Sequence, residues 1–269
     1  MNHLNNTKDL KTDSYSIFLS RFMERICLFF VKIGTYLILC TPLIISGRFF
    51  FPFVGPKSLY FLALSEIIFL FYVILAIFNP KYRPKINIVF IAIIVFIAFS
   101  FLSSLLGIDF SQSFWSKYER MTGLLMWLHL LIFFIASSSV FTKKDWIRIF
   151  EFSLIIASIT SILMLFPNLL ETRGLGTRGG ATLGNSSFLA SYLLFNVFLA
   201  LYLFIGFFNK ENYGFKTAGL FSFIKIKEIN ILYPSIFIFL SLSLFLSTGR
   251  AAAAAFFMGM VLIFLLKII

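Results

Sequence analysis

Charged side chains make up only 13% of this 269-residue chain, where a soluble domain uses about a quarter to cover its surface. That shortage excludes an ordinary water-soluble globule. Cysteine is nearly missing: Cys27 and Cys40 are the two present, and the intervening helical rise of ~1.5 Å per residue sets them about 20 Å apart, too far to bridge. Histidine is as scarce, with His3 in a polar N-terminal stretch and His129 inside an apolar run. Without a Cys/His cluster at metal-ligand spacing, neither a metal nor another cofactor is expected. Acidic residues number 11 against 23 basic, a net charge of +12. In a soluble chain that excess raises nucleic acid as a partner. Here the basic residues fall in short loops between apolar runs, so membrane topology explains them and no nucleic-acid partner is expected.

What the chain has is apolar length. Eight runs, 26–46, 58–78, 86–106, 122–140, 147–166, 188–208, 233–247 and 251–269, hold 15 to 21 residues each, against the roughly 20 that a span needs. Lipid admits only helices or closed barrels, and continuous runs without alternation select helices. The seventh run is the shortest, and its start can move back toward Ile229. Lys and Arg number fourteen in the N-terminal stretch and the even loops, with Arg148 at the start of the fifth run counted among them, against seven in the odd loops. The positive-inside bias therefore puts the N-terminus in the cytoplasm and the odd loops outside. Residues 1–25 read as a polar cytoplasmic tail, and 26–269 as the transmembrane domain, the first run being an anchor without a small-residue cleavage pattern. The chain stops at Ile269 inside an apolar run. The expectation is an all-α polytopic transmembrane helix bundle of about eight spans, truncated at its C-terminus.

The outer loops of this topology favour arginine: Arg48, Arg120, Arg173, Arg178 and Arg250, beside Lys57 and Lys117. Guanidinium is planar, permanently charged and bidentate toward phosphate, which suits an anionic ligand such as a lipid-linked diphosphate; anchoring to lipid headgroups is the plainer use. The fifth loop holds Arg173, Gly174, Gly176, Thr177, Arg178, Gly179, Gly180, Gly184 and Asn185 just before the sixth run. Glycine lets successive N–H groups turn toward an oxyanion, and the next helix adds its positive end, so a phosphate cradle and a flexible connector are both open. The Gly-Lys-Ser/Thr ending of a P-loop is missing. Arg250 opens the eighth run ahead of five alanines, Ala251 to Ala255. An arginine there opposes the helix dipole and gains from a bound anion, or else snorkels to the interface while the alanines pack.

In the third loop, Phe110, Phe114, Trp115, Tyr118 and Met121 fall on one face of a short interfacial helix, with Asp109 or Ser111 as its N-cap. Tyr118, Glu119 and Arg120 at its end are able to hold a sugar or phosphate, or simply to form an aromatic belt with one ion pair. Glu66 lies about eight residues into the second run, near 12 Å deep, where a carboxylate is costly unless functional or paired. It serves as a base or proton relay, or pairs with an outer arginine such as Arg48. His129, between Leu128 and Leu130, reads as a hydrogen-bonding group between helices rather than as a catalyst. The loop 209–232, with Lys210, Lys216, Lys225 and Lys227, reads as a basic amphipathic stretch on the cytoplasmic surface.

Three stretches together, GIDFSQSFWSKYERMTGLLMWLHLL from Gly107 to Leu131, TLGN from Thr182 to Asn185, and Thr248-Gly249-Arg250 opening the last helix, resemble the bacterial O-antigen ligase and polymerase family. The likeness covers most of the chain, and the third-loop stretch is its most specific part. It implies a multi-pass inner-membrane protein of cell-envelope polysaccharide and lipopolysaccharide biosynthesis. Such a glycosyltransferase moves a glycan from an undecaprenyl-diphosphate donor to a lipid or protein acceptor, without a metal. The role implied for Arg250 is catalytic, holding the donor diphosphate. The other candidates for substrate binding are Arg178, Arg173, Arg120, Glu119, Tyr118, Asn185 and Glu66. Ala251 stands where the family has a glycine. The family's further external arginine and histidine follow this helix and lie beyond Ile269, so this chain is expected to carry part of the site. The alternatives are a transporter or flippase for a lipid-linked or anionic substrate, using Glu66 and the outer arginines, and an inactive remnant.

Overall fold

The computed structural model describes residues 2–118, 120–166, 180–208, 220, 226–247 and 249–268. Among them no β-strand occurs, and the helices are α1 (Asn2–Leu39), α2 (Gly55–Phe78), α3 (Ile88–Leu106), α4 (Phe110–Trp115), α5 (Leu124–Val140), α6 (Lys143–Leu165), α7 (Ser186–Phe208), α8 (Ile226–Leu246) and α9 (Arg250–Ile268). Each expected apolar run therefore has a helix over most of its length. Four are long and apolar enough to cross a membrane: α2, α3, α6 and residues 186–206 of α7. They make the chain a membrane protein. Leu124–Val140, Ile231–Leu246 and Arg250–Leu266 are shorter apolar helices.

Several boundaries differ from the sequence reading, each for a local reason. Helix α1 begins at Asn2, because the polar stretch before the first run contains no proline or glycine to stop it. The same helix ends at Leu39 rather than near Ser46, since Pro42 sits in a one-turn 3-10 helix, Thr41–Leu43, that α1 cannot continue through. Helix α6 starts at Lys143, four residues early, on a capping box: Thr142 takes the Asp145 N–H while the Asp145 carboxylate takes the Thr142 N–H. Helix α8 reaches back to Ile226 and carries Pro234 within it.

The chain divides into two compact units, Met1–Ile38 with Ser58–Val140, and Leu39–Lys57 with Phe141–Ile269. In the first, α1 lies against α2 where glycine allows it. A Cβ on Gly34 would come within 2.6 Å of the Ile68 side chain, so the missing methyl lets the two backbones close up. Phe30 stacks on Phe71 at 4.2 Å, and the Tyr60 hydroxyl donates to the Leu37 carbonyl at 3.0 Å. Helix α3 buries Ile97 alone among its residues, the exposure expected of a helix whose solvent is hydrocarbon. Its inner edge meets α5 through an edge-to-face pair, Phe96 and Trp127, at 5.2 Å.

The second unit has the denser core, with α7 between α6, α8 and α9. Leu154, Leu189, Leu193, Val197, Leu240 and Leu244 are all fully buried. Lipid is as apolar as leucine, so close packing and hydrogen bonds hold these helices together rather than escape from water. Small residues do the same work here: Ala157, Ala190, Ala200 and Ala252 are buried along the contacts. Polar groups tie the layers too, the Ser153 hydroxyl donating to the Asn196 side-chain Oδ1 at 2.7 Å.

Candidate functional site

One end of the second unit gathers the starts of α7 and α9, the end of the glycine-rich loop and the first loop. The first loop is fixed by Lys57. Its ammonium has three hydrogens, and they go to three carbonyls: Ile44 at 2.7 Å, Phe53 at 3.0 Å and Thr182 at 2.7 Å. A half-buried charge is thereby fully hydrogen-bonded without a carboxylate, and two separate loops are joined through it. The Phe53 ring covers Gly184, whose φ is +75° and whose Cβ, if it had one, would lie 2.5 Å from the ring. Only glycine fits that position. The 3-10 turn Ala181–Leu183 then delivers Asn185, which accepts the Ser187 N–H at 2.8 Å and caps α7. The side-chain oxygen of Asn185, a candidate for substrate binding, is thus occupied as a cap, while the residue itself is exposed.

Helix α9 reaches the same end through Gly249. A Cβ placed on Gly249 would collide with the Cβ of Ala190, in the second turn of α7. The start of α9 therefore sits directly on the start of α7, and Ala252 buries itself one turn on. Arg250, first residue of α9, is exposed. The Ala253 N–H already bonds to the Gly249 carbonyl, and the N–H groups before it have no acceptor within the helix. The structure so brings together two positive helix ends, with Arg250 the exposed first residue of one and the loop that Lys57 pins beside the start of the other. Arg48 is exposed on the first loop. Thr182 contributes a buried hydroxyl oxygen without a hydrogen-bond partner. Arg173, Arg178 and the glycines 174, 176 and 179 lie outside the described residues, as do Thr248 and almost all of the basic loop after α7.

The third loop builds a separate polar pocket in the first unit. Asp109 caps α4, accepting the Gln112 N–H at 2.9 Å, as the sequence indicated. The helix is only six residues long, however, and ends at Ser116 with φ +66°. Tyr118 and Met121 therefore fall off the face they were expected to share. The cause is a tight reversal: the Arg120 and Met121 N–H groups both bond to the Lys117 carbonyl at 2.9 Å, and Gly123 packs on the end of α4, where a Cβ would lie 2.7 Å from the Ser116 nitrogen. The reversal gathers Gln112, Ser116, Lys117, Arg120 and Thr122 around a pocket of about 350 Å³. Two cations and no acidic residue line it among those described. Glu119 lies outside the described residues, and Tyr118 is exposed beside the pocket. Next to it, sharing Thr122, a groove of about 420 Å³ is lined by Phe96, Phe99, Ser100, Ser103 and Ser104 of α3 and by Trp127 of α5.

Glu66 takes a partner different from the outer arginine the sequence put forward. Its Oε1 lies 3.0 Å from His129 Nε2, while His129 Nδ1 lies 2.7 Å from the Leu125 carbonyl oxygen. His129 is the interhelical hydrogen-bonding group that its apolar flanks suggested. A second carboxylate escaped the sequence reading altogether. Glu151, in α6, is 1% exposed and accepts from the Tyr233 hydroxyl of α8 and from the Leu220 N–H. An acidic residue soon after a capping box in an apolar run was the available signal, the same one that drew attention to Glu66. No protein-family model, curated protein or solved structure matches the chain.

Proposed function

We propose that this chain is an O-antigen-ligase-like glycosyltransferase of the bacterial inner membrane, crossing it about eight times with the N-terminus in the cytoplasm. It transfers a glycan from undecaprenyl diphosphate to a lipid or protein acceptor. The observation that supports this most is the seat of Gly249 on Ala190, which puts the start of α9, and Arg250 as its first residue, against the first turns of α7. A diphosphate at that end would meet a bidentate guanidinium together with unpaired N–H groups of a helix start, and Arg178 and Arg173 follow from the adjoining loop. Catalysis is then electrostatic: the arginines stabilise the charge that develops on the leaving diphosphate, while a base activates the acceptor. The pocket around Lys117 and Arg120 offers a second place for an anionic headgroup, with the serine-lined groove beside it for the glycan or the lipid stem.

The test is glycan transfer by the intact protein in membranes. Arg250→Ala is expected to lower transfer at least a hundredfold, on the order of what one lost oxyanion donor costs. Arg250→Lys, which keeps the charge and loses the fork, is expected to recover little of it. Full activity in either variant, at equal membrane abundance, removes Arg250 from the mechanism. Labelling of a cysteine placed at position 250 must occur from the outer face; labelling from the cytosol alone rejects the topology and the proposal with it. A transporter or flippase for an anionic substrate is the second reading, favoured by the Glu66–His129 contact. It requires proton-coupled uptake into vesicles that Glu66→Gln abolishes.

A further inference from the structure

The Glu66–His129 contact carries more chemistry than a link between helices. Both imidazole nitrogens face oxygen: Nδ1 meets the Leu125 carbonyl at 2.7 Å, and Nε2 meets Glu66 Oε1 at 3.0 Å. A carbonyl oxygen only accepts, so Nδ1 must carry a hydrogen. That leaves Nε2 opposite a carboxylate oxygen, and two bare lone pairs at that distance repel. One more hydrogen has to lie between them, on the ring or on the carboxyl. We infer that Glu66 and His129 form an intramembrane proton-binding site, holding one exchangeable proton on the line between Oε1 and Nε2. Carboxylic acid with neutral imidazole, and carboxylate with imidazolium, are its two arrangements. Both are neutral overall, so the proton can shift within the pair without placing net charge in hydrocarbon. Releasing it leaves a carboxylate beside a neutral ring.

The surroundings fit a proton store. His129 is nearly buried, whereas the Glu66 side chain is 67% exposed, so the ring lies within the helix packing and the carboxyl at its surface. Helices α3 and α4 contain no ionisable residue, and His129 is alone in α5. Within α2, Lys57 stands nine residues from Glu66 and bonds to carbonyls, Tyr60 donates to Leu37, and Tyr72 bonds to Ser139. On α1, whose Gly34 packs on Ile68, Lys32 and Tyr36 are the ionisable groups nearest in register. The inference is independent of the transferase reading and stands or falls on the protonation state alone.

Histidine NMR on the labelled, full-length chain in lipid reads that state directly. The chain has two histidines, so His3→Gln leaves His129 as the only signal. At neutral pH the expected result is a protonated Nδ1 in one of two forms. Either the ring is an imidazolium, or it is a neutral Nδ1–H tautomer and the protein shows a protonated-carboxyl infrared band that Glu66→Gln removes. A neutral Nε2–H tautomer overturns the inference. So does a neutral Nδ1–H ring with no carboxyl band lost in Glu66→Gln. An imidazolium or a neutral Nε2–H ring decides without a substitution in the pair; for a neutral Nδ1–H ring, Glu66→Asp, which keeps a carboxyl and shifts its band, replaces Glu66→Gln should the latter misfold.

Discussion

A single added methyl group at position 249 tests how the last helix is seated. In Gly249→Ala the new Cβ would meet the Cβ of Ala190, well inside van der Waals contact. Ala190 has no side-chain torsion that could move its methyl aside, and it is fully buried in the second turn of α7. The two helix starts must therefore part by roughly 1 Å to restore normal carbon separation. Overpacking of this kind costs about 1–3 kcal/mol. Gly249 does not have a left-handed φ, so backbone strain adds nothing to that figure. Removing the opposing methyl, Ala190→Gly, costs about 1 kcal/mol by itself, the usual helix-propensity difference. Combined, the two substitutions relieve one another, and a double-mutant cycle should return a coupling of about 1–3 kcal/mol. Unfolding by rising SDS fraction in mild detergent supplies the readout, with Trp146 of α6 reporting on this unit. Additivity within about 0.5 kcal/mol would show that the residues do not touch. The transfer assay adds a functional side: Gly249→Ala should lose activity with Arg250 intact, and Ala190→Gly should restore part of it.

Three further outcomes follow from other parts of the structure. Glu151→Ala removes the carboxylate that accepts from the Tyr233 hydroxyl and the Leu220 N–H, at about 1–3 kcal/mol for the buried Tyr233 bond; Glu151→Gln should lose less, and wild-type unfolding of the alanine variant would refute the node. Neutralising Lys117 or Arg120 by glutamine should weaken binding to vesicles carrying a polyprenyl diphosphate by roughly fivefold each, on the scale of about 1 kcal/mol per cation at a membrane surface. Unchanged affinity would remove that pocket from anion binding. Burial and the adjacent Glu24 carboxylate push the Tyr82 phenol up to about 12, from an ordinary value of 10.0. Its stabilising contribution is present below the unfolded value and is lost as pH rises through the folded one. The step that Tyr82→Phe removes from an absorbance titration should be a late one, and Glu24→Gln should move that step back toward the ordinary range; an unmoved step would sever the two residues.

The helices were legible because apolar length is a property of the chain itself. Their ends were less so, since a run of hydrophobic letters does not distinguish a span from the turn beyond it. Pro42 and the Thr142–Asp145 capping box were the local signals that move α1 and α6 to their observed limits, and both could have been read. The third-loop helix failed for a different reason. Its apolar spacing continues to Met121, but Gly123 folds the chain back onto the end of α4, and a reversal set by tertiary contact leaves no periodic trace. The cap was nearly legible, narrowed to Asp109 or Ser111, because a cap bonds within three residues of its own position; the structure uses Asp109. The Glu66–His129 pair was half legible. Each residue stood out as polar in an apolar run, yet nothing in sequence links positions sixty-three apart.

Lys57 shows where such reading has to stop. Among outer basic residues it looked like one more loop charge, and its three carbonyl partners come from backbone that any side chain could have accompanied. Satisfaction by backbone has no residue signature. The Thr-Gly-Arg motif sits at the opposite extreme, with its glycine and arginine conspicuous at once but for unequal reasons. Gly249 is required by the methyl group of Ala190, whereas Arg250 is exposed and makes no demand on packing. The glycine brings the helix start up against α7; the arginine then stands at a position where its charge opposes the helix dipole. A residue so placed gains little from the fold, and a bound anion is the partner that would reconcile the charge with the helix end.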